Sequence, residues 1–181
     1  MNSSLSSIVV AAESDIVTDR NLTVQELSDR LGIQDLLIRY STAINDQNLE
    51  LLDSCFSPDA HCDYSAMDGP NDSYPVFRKW IESTLGHTAA ALHRVANIQC
   101  IFEGDTAVVR SMYTNPILIA LPDGSRRPLT VGGYYQDDMI FGSDGWRVIN
   151  RVDVPTYHAG KFPSREEIER ILASQPAGSA S

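Results

Sequence analysis

Apolar residues follow a helical period in the first third of the chain. They recur every three or four positions from Ile33 to Ile44, which predicts a long amphipathic helix with one face against a core. Thr23 and Glu26 have the spacing of a capping box, so the helix is predicted to begin there. The polar run Asn45–Asn48 breaks the pattern and ends this first helix.

Two further helices and a short strand are predicted before the pattern changes. Apolar positions from Leu49 to Phe56 predict a short second helix that Ser57-Pro58 stops. Residues 60–64 can form a strand, and residues 67–73 contain Gly and Pro and form a loop. Three- and four-residue spacing predicts a third helix over 74–86.

The rest of the chain has the composition of long β-strands separated by turn signals. The predicted strands are 91–102, 106–121, 129–141 and 146–154. Helices followed by an antiparallel meander indicate the α+β class. Large antiparallel sheets curl, and Gly132 and Gly133 mark a bulge or bend in mid-strand. The expected architecture is a cone: a curved antiparallel sheet closed by the N-terminal helices around an apolar pocket.

The length of 181 residues fits one domain with a sizeable core. The Ser-rich stretch 1–21 is expected to be a flexible arm, because it has little periodicity. The domain is expected to span 22–160. Residues 161–181 are expected to form a short helix, starting near Ser164, and a tail.

Charge and composition exclude several classes of function. A net charge of −10 and a pI near 4.7 repel phosphate backbones, so no nucleic-acid partner is expected. No apolar run approaches a membrane span and no signal-peptide pattern occurs, which predicts a cytoplasmic protein without a membrane partner. The chain has no phosphate loop or dinucleotide fingerprint and no convincing set of metal ligands, so no cofactor or metal is expected.

A small set of polar residues lies where the predicted elements meet the pocket. Tyr40 is about one and a half turns before Asn45 and Asp46, so the phenol can share a face with the polar end of the first helix. His93 lies at the start of a strand, and an imidazole near neutrality suits general-base work. Helix capping and core packing are the alternative roles for these residues.

Further candidates for contacting a ligand lie on the strands and the third helix. Across the turn at 103–105, Tyr113 and Asn115 return beside His93, where they can donate to a substrate oxygen. An outward-facing polar row is the alternative if the register shifts by one. Aromatic side chains that can line the pocket complete the set: Tyr135, Tyr64 and Trp80.

Several strings resemble SnoaL-like proteins of the nuclear-transport-factor-2-like superfamily. They are LGIQDLLIRY at 31–40, LLDSCFSPDA at 51–60, LHRVAN at 92–97, EGDTA at 103–107, GYYQD at 133–137 and DGWRV at 144–148. The resemblance covers roughly 27–154 and implies the cone-shaped fold. The superfamily includes scytalone dehydratase, a bile-acid dehydratase, a dehydrochlorinase, ketosteroid isomerase, polyketide cyclases and proteins that are not enzymes.

The resemblance also implies roles for individual residues. In the dehydratase and dehydrochlorinase branch a His acts as base and an Asp orients it; these fall on His93 and on Asn45, with Asp46 one place later. Tyr40 matches a tyrosine that the dehydratases use as acid or hydrogen-bond donor. An Asn can orient an imidazole but cannot stabilise an imidazolium as an Asp does. Either Asp46 takes the role, or the chemistry is altered.

The expected function is therefore cofactor-independent acid–base chemistry on a hydrophobic, polycyclic or polyketide-like small molecule. The first expected reaction is loss of water, and isomerisation or cyclisation is the alternative. The main rival is a non-catalytic subunit that uses the same cone for ligand binding or assembly, and Asn45 favours it. The resemblance further implies a homodimer or homotrimer.

Overall fold

Three α-helices and a curved, open sheet make up the described part of the chain. The structure is a computed structural model that describes residues 21–121, 123–164, 166–167 and 170. The helices are α1 (Val24–Asn45), α2 (Leu49–Asp53) and α3 (Tyr74–Leu85). The strands are β1 (Phe56–Asp63), β2 (Asn71–Ser73), β3 (Thr88–Ala91), β4 (Arg94–Glu103), β5 (Thr106–Ala120), β6 (Arg126–Gly142) and β7 (Gly145–Gly160).

Helix α1 covers the sheet with the apolar stripe that its sequence predicts. Its start is confirmed: Thr23 Oγ1 accepts the Glu26 N–H at 3.1 Å, and Glu26 Oε2 accepts the Thr23 N–H at 2.8 Å. The buried residues of the stripe are Ile33, Leu36, Leu37, Tyr40, Ala43 and Ile44. Burying this face against β4 and β7 stabilises the helix and places its C-terminal end over the interior of the sheet.

The sheet contains seven strands within the described residues, in the order β2-β1-β7-β6-β5-β3, and β4 also pairs with β5. Strands β4 to β7 form the predicted antiparallel meander. Strand β1 departs from it, because it pairs in parallel with β7. The α+β class and the cone-like fold are confirmed.

Two irregularities in the β6–β7 ladder decide which side chains face inward. Gly132 pairs with Tyr157 and Gly133 with Pro155, so the bend predicted at the two glycines is present. The second irregularity leaves Ile149 as an extra residue, because Asp138 pairs with Asn150 while Met139 pairs with Val148. An extra residue reverses the in-and-out alternation of everything after it.

Several predicted boundaries were wrong: strand β2 lies within the predicted loop 67–73, and β7 runs to Gly160 rather than to residue 154. The second helix ends at Asp53 rather than at Ser57-Pro58, and β1 begins at Phe56 rather than at residue 60. Pro58 fits into β1 because the ladder with β7 is irregular between Phe56 and His61, where no proline N–H is needed.

The predicted strand 91–102 is also interrupted. Strand β3 ends at Ala91 and β4 begins at Arg94, which leaves Leu92 and His93 between two strands that both pair with β5. His93 is thus held at a gap in the ladder.

Apart from Asn21, the predicted arm at 1–21 lies outside the described residues, and so does most of the predicted C-terminal helix and tail. Ser164 has the expected cap: its Oγ accepts the Glu167 N–H at 3.2 Å. No helix in the described part of the chain is long and apolar enough to cross a membrane.

Candidate active site

A cavity of about 510 Å³ lies between the helices and the inner face of the sheet. Most of its wall is aliphatic or aromatic, so it suits a hydrophobic small molecule. The apolar lining comprises Ile44, Met67, Trp80, Ile81, Leu85, Ala91, Ile117, Ile119, Leu129, Val131, Phe162 and Pro163. The polar lining comprises Tyr40, Tyr64, His93, Tyr113, Asn115, Tyr135 and Asp153, together with Asp68, Ser83, Thr84, His87 and Thr88.

Three phenols and an imidazole form a connected chain of polar contacts inside the cavity. The Tyr64 and Tyr40 hydroxyls are 3.3 Å apart, and the Tyr40 and Tyr135 hydroxyls are 3.5 Å apart. The Tyr135 hydroxyl is 3.2 Å from His93 Nε2. Burial raises the pKa of all three phenols above the ordinary value, so they remain protonated donors.

A buried cation lies behind two of these rings. The Arg151 guanidinium is 4.3 Å from the Tyr40 ring centroid and 4.2 Å from that of Tyr135. Its Nε and Nη2 atoms each donate to a different carboxylate oxygen of Asp137 at 2.7 Å, and both side chains are fully buried. This paired cation attracts negative charge toward the phenol hydroxyls.

His93 is held neutral. Burial, reinforced by the Arg151 charge, lowers the pKa of the imidazole to about 3. Asn115 offsets a small part of this shift, although His93 Nδ1 and Asn115 Oδ1 both lack a partner of full hydrogen-bond geometry among the described residues. A neutral imidazole is in the form that can accept a proton.

Asp153 adds a carboxyl group that the sequence analysis did not identify. The residue is 4% exposed and lines the cavity beside Tyr113. Burial raises its pKa to about 6, and Tyr113 and Arg151 oppose the shift. The pKa values of His93 and Asp153, which both line the cavity, are therefore moved in opposite directions.

The helix end makes a different contact from the one predicted. Asn45 Oδ1 accepts the His93 backbone N–H at 2.7 Å, and Asn45 Nδ2 donates to the His93 carbonyl at 3.2 Å. Asp46 is exposed and is the C-cap residue of α1. The expectation that Asn45 or Asp46 holds the imidazole ring is thus corrected: Asn45 holds the main chain, because His93 lies in the gap between β3 and β4.

The other sequence-predicted site residues meet at the cavity. Tyr40, Tyr64, Trp80, His93, Tyr113, Asn115 and Tyr135 all line it. Tyr135 faces inward, whereas Tyr134 lies on the other face with Arg110 at 4.0 Å from its ring. The sequence analysis missed three buried residues: Asp137, Arg151 and Asp153. The pattern 135, 137, 139 on β6 was a usable signal for Asp137, but the extra residue in β7 hid the other two.

Residues 25–152 match the SnoaL-like domain family. The chain belongs to this family. A SnoaL-like relative of 40% identity over 143 residues is an uncharacterized protein of Mycobacterium tuberculosis strain H37Rv. The alignment covers 78% of this chain and 95% of that protein.

Solved structures agree with this SnoaL-like fold. A candidate scytalone dehydratase from Novosphingobium aromaticivorans superposes with a TM-score of 0.69 at 20% identity, over 78% of this chain and 93% of that chain. A hexachlorocyclohexane dehydrochlorinase superposes with a TM-score of 0.65 at 14% identity, over 75% and 90%. At these identities the likeness shows the fold alone.

Proposed function

We propose that this SnoaL-like protein is a cofactor-independent lyase that removes water from a hydrophobic, polycyclic or polyketide-like hydroxy-carbonyl compound. The observation that carries the proposal is a neutral imidazole joined to a phenol chain inside an apolar cavity. The named dehydratase and dehydrochlorinase among the structural neighbours support an elimination.

His93 is the proposed base. In the tautomer with its proton on Nδ1, the imidazole lone pair is on Nε2, which is 3.2 Å from the Tyr135 hydroxyl. Nε2 takes the proton next to the substrate carbonyl, and the C–H electrons form the new double bond as the C–O bond breaks. The low pKa makes the imidazolium short-lived, so the proton leaves again readily.

The substrate carbonyl oxygen becomes negative as its neighbouring carbon loses the proton. Tyr40, Tyr113 and Asn115 are the proposed donors to that oxygen. The Arg151 charge acts through the Tyr40 and Tyr135 rings and favours the same charge development. Trp80, Tyr64 and the aliphatic wall hold the hydrocarbon part of the substrate.

A simple probe tests the reaction class. The bicyclic ketone 3-hydroxy-1-tetralone becomes 1-naphthol when it loses water, and naphthol fluorescence reports the rate. We expect turnover by the wild-type protein and a loss of at least about a hundredfold in His93→Gln. His61→Gln is the matched control, since His61 is exposed and does not line the cavity.

The rival function is ligand binding without chemistry, and the contact of Asn45 with the main chain favours it. It predicts that 1-naphthol binds to the wild-type protein and to His93→Ala with similar affinity, while neither protein turns over the ketone. Retained binding with lost turnover in His93→Ala supports the lyase. Equal rates in both proteins would remove His93 from the mechanism.

A further inference from the structure

Asp153 is a cavity group that the proposed mechanism has not used. It faces inward only because Ile149 is an extra residue in β7, which brings positions 151 and 153 to the inner face. Its side chain lines the cavity with the residue 4% exposed. Its Oδ1 is buried and has no hydrogen-bond partner among the residues that the structure describes. A buried carboxylate oxygen without a donor favours the neutral acid.

Among the described residues, Arg151 is the cation that acts on the Asp153 carboxyl, and its Nε and Nη2 donors are bound to Asp137. Tyr113 and Asp63 are the other groups that act on the carboxyl. The chain of cavity phenols and the neutral His93 bring no positive charge to it. Asp153 is thus held as a weak acid rather than as half of an ion pair.

Loss of water needs an acid as well as a base. Hydroxide is a poor leaving group, so the departing oxygen must receive a proton as its bond to carbon breaks. The phenols hold their protons too tightly, because burial raises each pKa above 10. Neutral His93 is the acceptor in this reaction and cannot also be the donor at the start of the step.

We propose that protonated Asp153 is the general acid of the site and protonates the hydroxyl group that leaves. The inference rests on the proposed lyase function. In the step, His93 Nε2 takes the carbon-bound proton, the C–O bond breaks, and the Asp153 proton goes to the departing oxygen, so that water is released. Imidazolium and carboxylate then remain on either side of Tyr113, which contacts both residues. Return of the proton from His93 to Asp153 restores the starting state.

A pair of ketones that differ only in the leaving group tests this assignment. Acetate leaves without an acid, so 3-acetoxy-1-tetralone needs the base alone, whereas 3-hydroxy-1-tetralone needs both groups. In Asp153→Asn we expect the rate ratio of hydroxy to acetoxy ketone to fall about a hundredfold. His93→Gln should lose both activities. Asp59→Asn, a change at an exposed carboxylate, is the matched control and should keep the wild-type ratio.

The pH dependence gives a second readout from the same pair. For the hydroxy ketone, the wild-type kcat should fall as the pH rises through the range in which Asp153 ionises, and the acetoxy ketone should not show this fall. Equal losses on both ketones in Asp153→Asn, or no change in the ratio, would overturn the assignment.

Carbon-13 NMR of the Asp153 carboxyl in the full chain tests the assignment of the general acid without a turnover measurement. A titration midpoint near 6 that moves when 1-naphthol binds would place the acid against the ligand. A midpoint near the ordinary aspartate value, or one that 1-naphthol leaves unchanged, would overturn the proposal. Failure of wild-type protein on both ketones, by contrast, would count against the lyase function.

Discussion

The side chain of Asn45 is hydrogen-bonded to both the backbone N–H and the backbone carbonyl of His93. Its Oδ1 accepts the His93 N–H and its Nδ2 donates to the His93 carbonyl, at 2.7 and 3.2 Å. The two bonds replace the ladder partners that His93 lacks in the gap between β3 and β4. The amide therefore fixes the position of the imidazole through the backbone, and both a donor and an acceptor are needed at residue 45.

Asn45→Asp should destabilise the protein, although the resemblance described in the sequence analysis implies an Asp at this position. The carboxylate cannot donate to the His93 carbonyl, and its charge repels that oxygen. We expect a loss of about 1–3 kcal/mol in the free energy of unfolding, measured by urea denaturation at pH 7.

Asp46→Asn is the matched control for this change. Asp46 is exposed at the C-cap of α1, so stability should change by less than about 0.5 kcal/mol. A more active and equally stable Asn45→Asp protein would contradict the backbone role of Asn45.

Buried, neutral His93 should make the protein sensitive to acid. Its pKa is about 3 in the folded chain, against 6.5 as the ordinary value, so the unfolded chain binds more protons between these pH values. The stability from this group is complete above pH 6.5 and is lost as the pH falls toward 3, up to about 5 kcal/mol. Urea titrations at pH 7, 6, 5 and 4 should show a shallower decline in His93→Gln than in the wild type.

Asp153 should act in the opposite direction. Its pKa of about 6 lies above the ordinary 3.8, so the folded chain binds more protons between these values. The stability linked to this group is present below pH 3.8 and is lost as the pH rises through 6. Asp153→Asn should therefore raise the free energy of unfolding by about 2–3 kcal/mol at pH 8 and by little at pH 4. An equal effect at both pH values would contradict the shifted pKa.

Removing one partner of the Arg151–Asp137 pair should destabilise the protein more than replacing both residues with apolar ones. Arg151→Met leaves the buried Asp137 carboxylate without its partner and should cost about 3–5 kcal/mol in stability. Adding Asp137→Leu removes the stranded charge, so the double variant should be more stable than the single one. A double-mutant cycle measured by denaturation gives the coupling, and additive losses would argue against a buried pair.

Gly133 should not accept a side chain. A Cβ at this position would collide with the Val154 carbonyl oxygen, because the bend in the ladder brings the two backbones together. Gly133→Ala should lower the melting temperature clearly, with a cost of about 1–3 kcal/mol. Gly142→Ala is the matched control, since a Cβ there meets nothing within 4 Å.

Local signals were enough to predict most of the fold. The capping pair Thr23 and Glu26 located the start of α1, and the turn at 103–105 located the hairpin of β4 and β5. Alternation along β5 placed Tyr113 and Asn115 on one face, and both line the cavity. These features depend on residues close in sequence or on regular pairing, which a pattern can encode.

The site contacts that the sequence did not predict depend on irregular strand pairing. Uninterrupted alternation from Trp146 and Val148 would have turned Asn150 and Val152 inward, but the extra residue Ile149 turns Arg151 inward instead. Similarly, the gap in the ladder at His93 changes the partner of Asn45 from a ring to a main chain. A bulge or gap depends on two strands together, so neither strand alone reveals it.

The placement of Arg151 has a consequence for the kind of ligand that the cavity can retain. The guanidinium is fully buried and reaches the cavity only through the faces of Tyr40 and Tyr135. A bound molecule is attracted by its charge but cannot form paired hydrogen bonds with it. In the proposed reaction, negative charge that develops on the substrate oxygen is thus favoured, while a bound carboxylate gains no paired hydrogen bonds from Arg151.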